Sequence, residues 1–306
     1  VGRTAAALEW LGDAVAGLVE RASENRLRDY DGQAIFDEPV VGVADGEDPL
    51  FERFREVVSP DHIMPRELLE EAHGRPVERV RVVVWALPFA EAVRASNRAG
   101  RWPSRLYSVA RNNGGALNHL LRERVVQLLR DEGFAAVAPV LSGAYSAFRS
   151  PEHTFTSTWS ERHAAFAAGL GRFGLNNALI TPRGSSARIG SVVTDLDAEP
   201  TPRPHEDYRA PCRASGGRLC GRCMERCPVG AVSGTGMDKT LCYEMREAVR
   251  GRFMDAYAAE MHMLKAPVVK SGSRDAGYSL GCALCINGVP CEACDPFAGG
   301  EGGGDA

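Results

Sequence analysis

All nine cysteines of this 306-residue chain lie beyond Ala210, in the order Cys212-x7-Cys220-x2-Cys223-x3-Cys227-Pro228, then Cys242, then Cys282-x2-Cys285-x5-Cys291-x2-Cys294. That asymmetry makes the last third a separate module organised by its sulfurs. No secretory segment opens the chain, because Glu9 and Asp13 interrupt any apolar run in Val1 to Glu20. The longest apolar stretch, Val82 to Ala90, falls far short of the roughly 20 residues of a membrane span. A cytoplasmic location with no membrane partner is expected, and that compartment keeps thiols reduced. Metal chemistry is therefore the expectation for the sulfurs.

Cys220, Cys223, Cys227 and Pro228 match the end of the bacterial ferredoxin run C-x2-C-x2-C-x3-C-P. In that run a tight turn aims backbone N–H groups at the ligating sulfurs, and the cysteine before proline turns away to a second cluster. The crossed pattern assigns Cys212, Cys220, Cys223 and Cys291 to one four-iron cluster and Cys227, Cys242, Cys282 and Cys285 to another. Cys294 is left over, and the choice between Cys291 and Cys294 as eighth ligand stays open. Two structural zinc sites would also consume eight cysteines, but zinc has no use for the Cys-Pro ending.

The preceding two-thirds reads as alternating helices and strands. A helix is predicted over about Thr4 to Arg28, with Leu8, Leu11, Val15, Leu18, Val19 and Ala22 on one face. A loop over Asp29 to Pro49 leads to a helix at Leu50 to Val58, and Pro65 with Gly74 brackets another at Arg66 to His73. The β-branched run Val82-Val83-Val84 predicts a buried central strand within Val77 to Leu87. A helix at Gly115 to Asp131, a strand at Phe134 to Leu141, a helix at Glu161 to Ala168 and strands at about 178–181 and 187–196 follow. This is the pattern of an α/β layer structure. Pro200, Pro202, Pro204 and Pro211 mark a seam, so the expected units are 1–200, a sulfur-organised 201–297 and a disordered Gly-rich tail at 298–306. With 36 basic against 40 acidic side chains, the net charge of −4 argues against an extended nucleic-acid surface.

Gly169-x-Gly171-x-x-Gly174 has dinucleotide-fingerprint spacing but follows an alanine-rich helix instead of a strand. A glycine-rich helix end, or a surface where a large flat cofactor nears the main chain, fits better. Ser157, Thr158, Ser160, Glu161, Arg162 and His163 crowd the same neighbourhood from one side, and Asn176 and Asn177 from the other. Tyr107, Arg111, Asn112 and Asn113 form a second polar group, expected on a loop before a helix, with simple capping as the alternative for the asparagines.

The segments Ser160-Glu-Arg-His-Ala-Ala-Phe-Ala-Ala-Gly-Leu-Gly-Arg-Phe-Gly-Leu-Asn176 and Ile189-Gly-Ser-Val-Val-Thr-Asp195, followed by the two cysteine blocks, resemble the epoxyqueuosine reductase family. Reductive dehalogenases share that family's overall plan, and the similarity runs from roughly Tyr107 to Cys291. The resemblance implies an α/β, nitroreductase-like cobalamin-binding-type domain followed by a two-cluster ferredoxin-like domain. It implies an oxidoreductase in which two 4Fe-4S clusters, fed by an external donor such as ferredoxin or flavodoxin, pass electrons to base-off cobalamin. An electron-transfer protein without corrinoid chemistry is the alternative. Under the resemblance, the proton-donor candidates are Tyr107, Tyr145, His153, Glu161 and His163. The cofactor-binding candidates are Arg162, Gly169, Gly171, Gly174, Asn176, Gly190 and Ser191. Two departures stand out. Where the family carries an aspartate in a Val-Asp-Ser-Ala-Pro segment, this chain reads Thr154-Phe-Thr-Ser-Thr-Trp-Ser160, without a carboxylate. The second cysteine block reads Cys285-Ile-Asn-Gly-Val-Pro-Cys291-Glu in place of a C-x3-C-P ending. The helical-repeat extension that some members use on tRNA is not among these residues, so a small-molecule substrate is expected and tRNA is a doubtful partner.

Overall fold

A four-stranded antiparallel sheet divides the first two-thirds of the chain into two apolar layers, in the order Val40–Asp45, Arg81–Pro88, Ala187–Thr194, Ala136–Val137. The computed structural model describes residues 2–150, 155–204, 206, 212, 220–262 and 280–296. Side chains alternate across a strand. Val83, Trp85 and Leu87 therefore face Leu11, Val15, Leu117 and Leu121 on the helices Gly2–Glu20 and Arg105–Asp131. Val82 and Val84 face Phe51, Phe54, Leu69 and Phe166 on the helices Leu50–Val57, Pro65–His73 and Glu161–Ala167. Covering both faces explains why the central strand is apolar at nearly every position.

Several elements differ from their expected bounds for local reasons. The first helix stops at Glu20. The buried Asn25 side chain then bonds Phe36 in both directions, Nδ2 to the carbonyl and Oδ1 from the N–H, and diverts the chain. The expected loop at 29–49 contains the edge strand Val40–Asp45. The long helix begins ten residues early, at Arg105, because the Ser104 hydroxyl accepts the Tyr107 N–H at 3.0 Å. Tyr107 and Arg111 therefore sit on a helix. Asn112 and Asn113 on the same helix bond the carbonyls of His262 and Glu260 at 2.8 and 2.9 Å, a structural role. The strand expected at Phe134 to Leu141 shrinks to Ala136–Val137, followed by a short helical turn at Pro139–Leu141.

The cysteine module contains a short helix, Arg222–Arg226, a small hairpin and a helix unforeseen in the sequence, Lys239–Tyr257, capped by Asp238. It is stitched to one end of the sheet. Ser185 and Ser186 donate their N–H groups to the carbonyls of Cys291 and Glu292 at 2.7 and 3.2 Å. Gly184 makes this approach possible: at φ +85° a Cβ there would stand 2.2 Å from the Glu292 carbonyl oxygen. Glu292, buried, takes Arg98 Nε at 3.0 Å and the Gly288 N–H at 2.9 Å, and Arg172 meets Asp295 at 2.9 Å. The Gly-rich tail and His153 lie outside the described residues.

Candidate functional site

The thiols of the module sort into two groups by the charges each feels. Burial, followed by Cys212, Cys291 and Cys220, pushes Cys223 up to about 11. Cys291 is raised in the same way, by burial first and then by Cys212 and Cys220. In the other group, burial and then Cys242 and Cys227 raise Cys282 to about 11, against a backbone N–H bond at Leu284 that pulls it down. Burial and then Cys227 raise Cys242. Cys285 is raised by burial and then by Cys282, Cys242 and Cys227, with Cys223 of the first group contributing least. The two groups thus adjoin at one point. Cys212 and Cys220 lie near Cys223 and Cys291, and Cys227 near Cys242, Cys282 and Cys285. Cys294 is exposed and stands in neither.

Among the described residues, no three Cys, His, Asp or Glu side chains lie close enough to hold a single metal ion. A four-iron cluster asks for a wider set, because its irons and bridging sulfides fill the space between the thiolates, whereas zinc bonds of about 2.3 Å draw four sulfurs tightly together. The surroundings suit a sulfur-ligated anion. The Ala231 N–H donates to Cys227 Sγ at 3.1 Å, within the turn that follows Pro228, and Ser185 Oγ lies 3.6 Å from Cys291 Sγ. Arg246, Arg111 and Arg162 all act on Cys242, and Arg111 acts also on Cys282. Asn176 Nδ2 holds the Cys285 carbonyl at 2.8 Å.

Beside the second set opens a cavity of about 530 Å³. Val57, Phe173, Leu175 and Met237 give it apolar walls, Gly174 and the turn Gly234–Gly236 line its rim, and Arg162, His163, Asn177 and Lys239 supply its polar groups. Arg162 presents surface to this cavity, yet protein crowds it densely enough to lower its guanidinium pKa; Arg111 lowers it further and Cys242 opposes the change. His163 is pushed down to about 3 by burial, then by the Arg162 charge, and is neutral. Its Nδ1 lies 2.7 Å from Ser160 Oγ.

A second polar pocket lies where the long helix meets the second cysteine block. Tyr107 is completely buried beside Ser186 and Asn287, whose side chains bond each other at 2.9 Å without either forming a well-aligned bond to the phenol. Burial raises its pKa, while the Arg111 guanidinium, the two polar neighbours and Arg188 pull the other way. Arg188, pushed down to about 9 by burial and then by Arg111, donates to the Arg111 carbonyl at 2.6 Å. The Nε of Arg111 is buried without a hydrogen-bond partner, close against Gly281 and the sulfurs of the second set.

The remaining expected residues are dispersed. Glu161 has both oxygens engaged, one by Arg122 at 2.7 Å and the other by Ser191 Oγ, so Glu161 and Ser191 belong to a buried framework with Trp159 and Asn118. Tyr145 stands near Glu161 with its pKa raised, first by burial and then by that carboxylate. Gly169 and Gly171 pack on the main chain of Pro202 and Ile180, and Gly190 on Trp85 and Asn118, away from the cavity. Arg162, His163 and Gly174 are brought together there, joined by Lys239, which the sequence reading passed over. Arg188 was missed too; an arginine inside a strand otherwise apolar toward its end was its only trace.

No protein-family profile matches the chain. Reductive dehalogenases and epoxyqueuosine reductases are among the proteins it is similar to. The tetrachloroethene reductive dehalogenase of Desulfitobacterium hafniense is 30% identical over 131 residues, 42% of this chain. The chain spans about a fifth of that relative's length, the match covering 20% of it. Solved structures alike in outline include an epoxyqueuosine reductase with a tRNA-Tyr stem loop, at 19% identity and a TM-score of 0.48, covering 90% of this chain and 64% of that one. The epoxyqueuosine reductase of Bacillus subtilis follows at 20% and 0.47, covering 84% and 62%. A reductive dehalogenase matches at 16% and 0.40, covering 68% and 27%. Since one of these neighbours holds a tRNA stem loop, the expectation that tRNA is a doubtful partner gains no support from them. No helix among the described residues is long and apolar enough to cross a membrane.

Proposed function

We propose that this chain is an iron–sulfur reductase of the epoxyqueuosine reductase-like type. Cys212, Cys220, Cys223 and Cys291, and Cys227, Cys242, Cys282 and Cys285, would hold two 4Fe-4S clusters in the ferredoxin-like domain (201–297), and the α/β domain (1–200) would hold a cobalamin for them to reduce. The observation that carries this reading is the gathering of eight cysteines, two buried and six half-buried, into two adjoining groups, with a cavity of apolar walls and cationic groups near the second. A volume of about 530 Å³ falls among those of small-molecule substrate sites, roughly 300–1,000 Å³, and would take part of a corrinoid, not the whole.

Cobalamin, when bound, supplies a strongly reducing metal centre for two-electron chemistry. The chain's own part is positioning, exclusion of water and supply of a proton. Gly174, Asn177 and the Gly234–Gly236 turn form the binding rim, and Asn176 fixes the Cys285 loop beside it. Tyr107 is the proton-donor candidate that burial keeps protonated, flanked by Arg111 and Arg188; it does not line the cavity, so its proton would have to reach a substrate there through an intervening group. His163, neutral in place, has no imidazolium proton to give at neutral pH. Glu161 is engaged structurally. The substrate is a small molecule and the electron donor an external protein such as ferredoxin or flavodoxin.

The test is electron paramagnetic resonance on anaerobically reconstituted protein. Dithionite reduction is expected to give two interacting cluster signals, and added cob(II)alamin a base-off spectrum. Clusters with the cobalt spectrum of the free cofactor would replace this reading by an electron-transfer protein without corrinoid chemistry. A colourless protein with about two zinc ions per chain would remove both.

A further inference from the structure

Among the described residues, the cavity near the second cysteine set is lined by two cations, Arg162 and Lys239, and by no carboxylate. In a chain of net charge −4 this is a local reversal of sign. Among the described residues neither cation forms an ion pair; Arg162 donates only to the Asn177 carbonyl. Two cations held close in a crowded, partly desolvated site repel each other and forfeit hydration. Each lowers or is lowered accordingly, Lys239 by burial and then by Arg162. The second cysteine set does not account for the arrangement. Cys242 already faces Arg246, Arg111 and Arg162, whereas Lys239 is not among the charges acting on it. Val57, Phe173, Leu175 and Met237 line the same cavity and suit an organic body.

We propose that Arg162 and Lys239 clasp the anionic group, a phosphate or carboxylate, of a small organic substrate whose apolar body lies against Val57, Phe173, Leu175 and Met237. The inference rests on the proposal that this cavity is the reaction chamber. Arg162 offers a planar fork to two oxygens, and Lys239 a mobile point charge to a third or to the same pair. A nucleic-acid strand is the less fitting source of such an anion. Affinity for it comes from many phosphate contacts in series, and this cavity offers two cations.

The experiment uses the full chain with both clusters reconstituted and corrinoid withheld, so that it stands apart from the cobalt test above. Calorimetric titration with inorganic phosphate and with benzoate is expected to show one site per chain, and benzamide, the neutral counterpart of benzoate, none. Arg162→Gln and Lys239→Gln are each expected to weaken phosphate and benzoate binding about tenfold or more, with Arg162→Lys intermediate and the iron content per chain unchanged. The iron content shows that each variant is folded. Absence of binding by the unaltered protein overturns the proposal, as does binding that persists in both glutamine variants, which would mark an adventitious ion only. Benzamide binding as tightly as benzoate overturns the anionic class. A tRNA stem loop that binds far more tightly than phosphate and is lost with the same substitutions overturns the small-molecule source.

Discussion

The ion pair between Arg122 and Glu161 is the test of whether the residues around the Glu-Arg-His segment form a framework or a reactive group. Its closest approach is 2.7 Å, and the two side chains are only 7% and 16% exposed. Arg122 also donates to the carbonyls of Asn118 and Ile189 at 3.2 and 3.3 Å, while Glu161 takes the Ser191 hydroxyl. Replacing one partner leaves the other's charge buried without compensation, a loss of about 3–5 kcal/mol, whereas replacing both with apolar residues of similar volume is often close to neutral. For a domain of this size the single loss corresponds to a melting point lower by roughly 5–10 °C. The assay is anaerobic thermal unfolding of Arg122→Met, Glu161→Leu and the double variant, followed by circular dichroism, with cluster spectra as a check on the cysteine module. We expect each single variant to fall by that amount and the double variant to recover much of it, a strongly non-additive cycle. Single variants within about 1 kcal/mol of the parent, or a double variant equal to the sum of the two, would refute the framework reading and return Glu161 to the list of proton donors.

His62 is 1% exposed and pushed down to about 4, chiefly by burial. Its Nε2 accepts the Ser160 N–H, which leaves Nδ1 to donate to the Ile63 carbonyl. The unfolded chain binds this proton below about pH 6.5 and the folded one does not. Stability is therefore full above pH 6.5 and declines toward pH 4 by on the order of 3 kcal/mol, and denaturation curves across that range should flatten in His62→Gln. Arg111→Gln is expected to shift the reduction potential of the Cys227-containing cluster negative and leave the other nearly unchanged, because it removes a cation beside Cys242 and Cys282; redox titration followed by electron paramagnetic resonance reads this directly. Cys291→Ser should lose iron on reconstitution, whereas Cys294→Ser, at the exposed thiol, should retain the full complement; the reverse result in iron analysis would exchange the eighth ligand. Gly190→Ala places a Cβ 2.6 Å from both Asn118 Oδ1 and the Trp85 ring and is expected to cost about 1–3 kcal/mol, measured as a lower melting temperature.

What could be read in the chain depended on whether the relevant physics was local. The buried central strand was legible because Val82, Val83 and Val84 admit few other conformations. The edge strand Val40–Asp45 was not, since it lies between Pro39 and the Gly46-Glu47-Asp48-Pro49 turn and owes its conformation to pairing with Arg81–Pro88. Helix Lys239–Tyr257 was hidden for the opposite reason: it buries only Met245 and Val249, so its sequence carries little amphipathic signal.

The candidate site divides along the same line. The Glu-Arg-His run drew attention as a unit, yet its members end in two places: Glu161 in the buried framework, Arg162 and His163 at the cavity. Successive side chains of a helix point about 100° apart, which separates Glu161 from the pair that follows it. What completes the cavity comes instead from Lys239, the first residue of a helix 77 positions later, set in place by the Asp238 cap. Arg111 and Arg188 likewise meet only because a helix that starts at Arg105 crosses the end of the strand Ala187–Thr194. Charges that repel each other leave no attractive pattern in a sequence. Their convergence beside a set of thiols is a property of the folded chain, and it directs attention to this seam as the place where substrate charge, protein charge and cluster charge have to be balanced.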